Sequence, residues 1–235
     1  MMKFRSYYII LCAFICLLAS CSKDTYDPPG ATFNGRIVYN GEAINVAYDQ
    51  VRFQLWQSGF GKLTPIDVTI KQDGSFSSML FNGTYKISFP GGQGPYMTKQ
   101  NGTAKDTVAL EINGNKSMDI EVLPYYMIRN PQFSISSGKV TGSFKLDKII
   151  TDANAKNIDK VVLYLNTTSF VSDAGSANVA KKELSGASIT DMNNIILDVN
   201  VPTLTRTQDY IFARVGVKIS GVEDMLYSPV KELKL

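Results

Sequence analysis

Ile66-Asp67-Val68-Thr69-Ile70-Lys71-Gln72-Asp73-Gly74-Ser75-Phe76-Ser77-Ser78-Met79-Leu80 is the stretch that decides the fold. Its first five residues alternate apolar and polar, the period of a strand with one buried face. Asp73-Gly74 supplies the positive φ angles of a tight turn, so the stretch reads as a β-hairpin. The signature recurs on both sides. Val51-Arg52-Phe53-Gln54-Leu55-Trp56 alternates, with Val51, Phe53 and Leu55 on one face. Asn82-Gly83 leads into Tyr85-Lys86-Ile87-Ser88-Phe89, and residues 107–112 and 117–122 read as further strands. Asn34-Gly35, Asn40-Gly41, Asn101-Gly102 and Asn113-Gly114 read as turns between them. No segment sustains i, i+3, i+4, i+7 spacing for three turns, so the chain is expected to be all-β.

Six Asn-Gly or Asp-Gly pairs precede residue 123 and none follows it. This change in turn chemistry divides the chain into a module at 31–122 and a module at 132–235. The linker between them is 123–131, with Pro124 and Pro131 near its ends and Tyr125 and Tyr126 expected to wedge the two modules. In the second module, strands are expected at 132–136, 139–146, 160–166, 194–200, 208–218 and 226–233. The connection 148–157 has the composition for a helical turn. The polar connection 167–191 has room for a short edge strand.

The first thirty residues carry an address. Lys3 and Arg5 precede thirteen mostly apolar residues, Tyr7 to Ala19, which is short of the roughly 20 that a spanning helix needs. Residues 1–20 therefore read as a secretory signal peptide. Leu18-Ala19-Ser20-Cys21 resembles a bacterial lipobox, which implies cleavage before Cys21 and lipidation there. Residues 21–30, with Pro28-Pro29, read as a tether. Cleavage removes Cys12 and Cys16, so the mature chain would have no free thiol and no disulfide. It would carry 22 basic and 21 acidic residues, a net charge of +1, which argues against nucleic acid as a partner.

The absence of histidine rules out a Ser-His-Asp triad and His-ligated zinc. No phosphate-binding or dinucleotide fingerprint occurs, so neither cofactor nor metal is expected. The acidic residues are the remaining acid–base candidates, and Glu42, Asp49 and Asp67 would have to converge to form a pair. The chain is read as non-catalytic. Aromatic residues are more informative, because a sugar ring packs its C–H face on an indole or phenol while polar neighbours bond its hydroxyls. Trp56, the only tryptophan, is out of phase with the apolar residues of its strand and shares a face with Arg52 and Gln54. Phe60, in the glycine-flanked loop that follows, and Tyr96, after Gly91-Gly92-Gln93-Gly94-Pro95, complete the candidate sugar platform. The alternatives are that Trp56 packs in a core or against the second module.

The first module resembles the carboxypeptidase-regulatory, transthyretin-like β-sandwiches. The residues that carry this are Gly35-Arg36-Ile37-Val38-Tyr39-Asn40-Gly41-Glu42-Ala43-Ile44, Val51-Arg52-Phe53, Asp73-Gly74-Ser75-Phe76 and Gly83-Thr84-Tyr85-Lys86-Ile87. The second resembles a fibronectin-type-III-like sandwich, through the hairpin from Tyr210–Val217 by Ser220-Gly221 to Tyr227–Val230. Lipobox, tether and these modules in this order resemble the two-domain lipoproteins of domain-of-unknown-function family 3823. The resemblance implies a lipid-anchored outer-membrane protein, and Ser22-Lys23-Asp24 after the cysteine resembles the export signal of surface lipoproteins, which implies the cell surface with the periplasmic face as the alternative. The family resemblance also implies an accessory role in polysaccharide utilisation, beside an outer-membrane transporter and its lid lipoprotein. The family brings no catalytic residues. The other reading is structural, a pilin-like or adhesin subunit. Asp106-Thr107-Val108 resembles the O-glycosylation motif of exported proteins in such anaerobes, with Thr107 as acceptor.

Overall fold

The computed structural model describes residues 27–59, 62–98, 108–204 and 208–235. The leader, Cys21, Phe60 and Thr107 lie outside the described residues. The described chain is almost entirely strand and turn, arranged as two tandem sandwiches, as the alternation predicts.

The first sandwich contains β1 (Ala31–Tyr39), β2 (Glu42–Ala43), β3 (Arg52–Gln57), β4 (Pro65–Thr69), β5 (Ser75–Leu80), β6 (Gly83–Ser88), β7 (Tyr96–Thr98), β8 (Val108–Ile112), β9 (Lys116–Ser117) and β10 (Ile120–Pro124). One sheet is built around β1, with β5 and β2 along one side and β9 and β10, both parallel to it, along the other. The second sheet has the order β4-β3-β6-β8. Between them lies an aromatic line. Phe33 to Phe76 is 5.1 Å, Phe76 to Phe53 is 4.9 Å and Phe53 to Phe89 is 6.0 Å, centroid to centroid.

Two turn assignments need correction. Asp73-Gly74 does form a tight turn: Gly74 has φ 80° and its amide donates to Lys71 O at 2.9 Å. The flanking strands are not a hairpin, however. β4 pairs with β3 and β5 pairs with β1, so the turn carries the chain from one layer to the other. Asn34-Gly35 is not a turn at all but lies in the middle of β1. A Cβ at Gly35 would sit 2.0 Å from the carbonyl oxygen of Met118, so the glycine serves the close approach of a neighbouring backbone. At that point the expected strand 117–122 breaks into β9 and β10 around Met118 and Asp119.

The second sandwich contains β11 (Tyr126–Ser136), β12 (Lys139–Lys148), β13 (Ile158–Asn166), β14 (Ala180–Ser185), β15 (Ile195–Asn200), β16 (Tyr210–Ile219), β17 (Leu226–Tyr227) and β18 (Lys231–Lys234). A sheet β11-β12-β15 packs on a sheet β14-β13-β16, and β16 also pairs with β17 and β18. β14 is the edge strand for which 167–191 had room. The 148–157 connection has no helical turn. Asp152 instead caps a short turn, accepting from the Asn154 amide at 2.8 Å. The helical residues described are a single 3-10 turn, Gly186–Ser188.

The stretch 123–131 is not a linker. Pro124 ends β10, Tyr126 begins β11, and Tyr125 alone stands between the modules. β11 absorbs Pro131 through a register shift between Arg129 and Gln132, with Asn130 at φ 49°. Tyr125 and Tyr126 are both buried, and the Tyr126 hydroxyl donates to Lys156 O at 2.8 Å.

The sandwiches are fastened along a seam. Tyr227 N donates to Asn45 O at 3.0 Å, and Gly94 N donates to Asp224 Oδ2 at 2.7 Å. Burial pushes the Asp224 carboxyl up from its ordinary value. Arg129 pairs with Glu42 in the first module and with Asp147, at 2.7 Å, in the second. The deepest fastening is Arg214, fully buried on the outward face of β16. Its Nε donates to Ser228 O at 2.8 Å, one terminal nitrogen to Val171 O at 3.1 Å, and the other to Gln72 O at 2.7 Å. The guanidinium also lies 4.4 Å from the centre of the Tyr227 ring. β13 and β16 are thus covered on both faces, which explains why Val161-Val162-Leu163-Tyr164-Leu165 is a continuous apolar run.

Candidate functional site

The strand that carries Trp56 has its two faces sorted by alternation. Phe53 and Leu55 point into the core with no exposure, while Arg52, Gln54 and Trp56 share the outer face. Across that face, Trp56 stands opposite Pro65 of β4 and Lys86 of β6. Gln54 stands opposite Asp67 and Ser88. The indole Nε1 donates to Ser88 Oγ at 2.8 Å, a cross-strand diagonal that ties the ring to β6. Trp56 is half-buried, and these neighbours all belong to the first module. It is neither core nor seam.

Beside the ring the polar groups are organised around one carboxylate. Asp67 accepts from Gln54 Nε2 at 3.0 Å and faces Arg52 NH1 at 3.6 Å. Arg52 and Asp67 are about half exposed, so the pair contributes little to stability and stays available to exchange partners. The sheet thus offers one fixed aromatic surface flanked by a guanidinium, an amide, a carboxylate, a hydroxyl and the Lys86 ammonium. That set suits a shallow contact with a ring bearing hydroxyls.

Tyr96 does not belong to this surface. It is 5% exposed and packs edge-on to Phe89, with ring centres 5.8 Å apart. The cause is Gly94, at φ 81°: a Cβ there would fall 2.3 Å from the Tyr96 ring. The glycine-rich loop therefore folds the tyrosine inward instead of presenting it. The buried phenol is pushed well above its ordinary pKa, and its hydroxyl has no hydrogen-bond partner among the described residues.

The three carboxylates do not converge either. Glu42 is tied to Arg129 and Asp67 to Arg52 and Gln54, while Asp49 lies in the exposed turn 48–50. Among the described residues no group of three His, Cys, Asp or Glu is placed to hold a metal ion. The residues that the sequence reading passed over are Arg214, Tyr227, Tyr48 and Phe170, all along the seam. The uninterrupted apolar run in β13 was the available signal that a second layer covers this sheet.

Comparison with known proteins agrees with this architecture. The model of the N-terminal domain of the DUF3823 proteins of unknown function matches residues 31–123, and that of the DUF3823 C-terminal domain matches residues 126–232. No curated protein matches the chain. Crystal structures of DUF3823 family proteins from Parabacteroides merdae and Bacteroides ovatus are each 32% identical to it, with a TM-score of 0.76. Each comparison covers 88% of this chain and 100% of the other. A Bacteroides uniformis structure at 19% identity and TM-score 0.66, covering 88% of this chain and all of its own, is described provisionally as a carbohydrate binding protein. At that identity the likeness speaks for the fold alone. Two domain matches spanning nearly all of the described chain, in the order and at the junction that the strands define, show that this protein belongs to the DUF3823 family.

Proposed function

We propose that this chain is a non-catalytic, glycan-binding accessory lipoprotein of a polysaccharide-uptake system. It would be held at the outer-membrane surface by lipid on Cys21, beside a transporter and its lid lipoprotein. The observation that carries the binding reading is the indole of Trp56, held on the outer sheet face by Ser88 and sharing that face with Arg52, Gln54 and Asp67. The provisional description of the B. uniformis relative as carbohydrate binding supports it. A single aromatic contact on an open face gives weak affinity, about millimolar to tens of micromolar. Lipid anchoring among other lipoproteins would raise the effective concentration.

Affinity electrophoresis through gels containing amylopectin, xylan or galactomannan tests the reading. The parent should be retarded by at least one of them. Trp56→Ala should fold, since the ring is not core, and should migrate faster in that gel. A parent that no polysaccharide retards would overturn the reading.

The lipid anchor predicts a second result. Cys21→Ala should move the protein from the membrane fraction to the soluble fraction. Unchanged partitioning would sink the anchor. The pilin-like alternative has less support, because β1 is already hydrogen-bonded on both sides and presents no gap for a donated strand.

A further inference from the structure

The seam carries an exposed aromatic pair to which each module contributes one ring. Tyr48 is 54% exposed and Phe170 is 47% exposed. Their ring centres are 4.7 Å apart at an interplanar angle of 60°. Tyr210, 37% exposed, also contacts a ring, that of Phe212, but both belong to the second module. Two aromatic rings in contact at the meeting of two modules are a different matter, because each leaves a face open to water that folding had no need to expose.

Both rings are held from below. Ala47, next to Tyr48, and Val171, next to Phe170, are buried in the same seam cluster with Tyr164 and Tyr227. The Phe170 carbonyl accepts from Asn166 Nδ2 at 2.6 Å, and the Ser169 carbonyl accepts from Gln72 Nε2 at 2.8 Å. The rings are therefore positioned before any ligand arrives, which limits the entropy lost on binding. Tyr48-Asp49-Gln50 is an exposed turn. Its phenol, carboxylate and amide side chains make no hydrogen bond or ion pair with the described residues.

We propose that Tyr48, Phe170 and the Asp49-Gln50 tip form a second sugar-binding site, composed across the seam and taking one ring of a neutral polysaccharide. This rests on the glycan reading above. The C–H face of the sugar packs on the open faces of Tyr48 and Phe170. Asp49 and Gln50 take up its hydroxyls, the carboxylate as an acceptor and the amide as both donor and acceptor. Two rings and one turn offer far less than the roughly 800 Å² per partner that a stable protein interface buries, so a small ring suits the patch better than a protein does. The Asp49 carboxylate, which pairs with no cation among the described residues, repels uronic acids, which makes the site selective for neutral sugars.

The test uses the full chain purified in detergent, run on gels of amylopectin, xylan, galactomannan and polygalacturonate. The variants are Trp56→Ala, Tyr48→Ala, Phe170→Ala and Asp49→Asn, each checked by thermal unfolding. Tyr48→Ala, Phe170→Ala and Asp49→Asn should each weaken retardation by a neutral polysaccharide about fivefold or more. Polygalacturonate should retard the parent least. Asp49→Asn keeps a residue type that tolerates the turn's left-handed φ of 58°, so it tests binding even if a ring truncation loosens the seam. If Trp56→Ala abolishes retardation and the three seam variants leave it unchanged, the seam site is wrong and the Trp56 surface stands alone. If the seam variants weaken retardation and Trp56→Ala does not, the seam site stands and the platform on β3 falls. A parent that no gel retards removes both.

Discussion

Replacing Arg214 with alanine is expected to lower the unfolding temperature by roughly 6–20 °C and to uncouple the two sandwiches. The guanidinium is fully buried, and burial lowers its pKa to about 10, so it remains a cation at neutral pH. Among the described residues no carboxylate pairs with it directly. It is held by the carbonyls of Ser228, Val171 and Gln72 and by the face of Tyr227. Truncation leaves three seam carbonyls without their donors and opens a cavity against Tyr227. Each unpaired buried group costs about 1–3 kcal/mol, so a total loss of about 3–5 kcal/mol follows once partial relaxation is allowed. In a chain of this size 1 kcal/mol moves the midpoint by roughly 2–4 °C. Because Gln72 belongs to the first module and the other partners to the second, calorimetry should show the variant unfolding in two resolved steps where the parent shows one. Arg214→Lys should not rescue it, since an ammonium cannot reach three carbonyls set around a planar fork. A variant that melts as the parent does would mean that the seam is held elsewhere.

Gly35→Ala is expected to be at least as damaging, for a different reason. The new methyl would meet the Met118 carbonyl oxygen at 2.0 Å, the Met118 carbonyl carbon at 2.7 Å and the Phe76 ring at 2.9 Å. Two of these are backbone atoms and cannot rotate away. To relieve the contact, β1 must separate from the segment joining β9 to β10, which breaks parallel pairing on the strand at the centre of its sheet. Overpacking of a well-packed interior usually costs about 1–3 kcal/mol, and more when backbone must move. We expect a loss above about 3 kcal/mol, seen as a lower urea midpoint or as failure to accumulate soluble protein. Gly30→Ala is the control: nothing lies within 4 Å of that Cβ, and stability should be unchanged or slightly raised. Equal midpoints for Gly35→Ala and the parent would show that the strands at this crossing are looser than the close contact requires.

What was legible in the sequence is whatever depends on local pattern. Alternation in Val51–Trp56 and Ile66–Ile70 determined that these are strands and which side chains point inward, because successive Cβ atoms point to opposite faces. The same rule placed Trp56 with Arg52 and Gln54 on the outer face, and the absence of histidine removed whole classes of chemistry. What only the tertiary structure decided is how layers meet. Asn34-Gly35 and Asp73-Gly74 are both glycine pairs, yet one relieves a backbone crossing and the other carries the chain between sheets. A glycine permits several conformations and its neighbours in space select one. Tyr96 follows a glycine-rich loop that looks made to expose it, but the missing Cβ of Gly94 is what lets the ring fold inward. Tyr48 and Phe170 lie 122 residues apart, and Gln72 and Arg214 lie 142 apart. No local pattern links such partners, because they are joined only when one sandwich docks on the other.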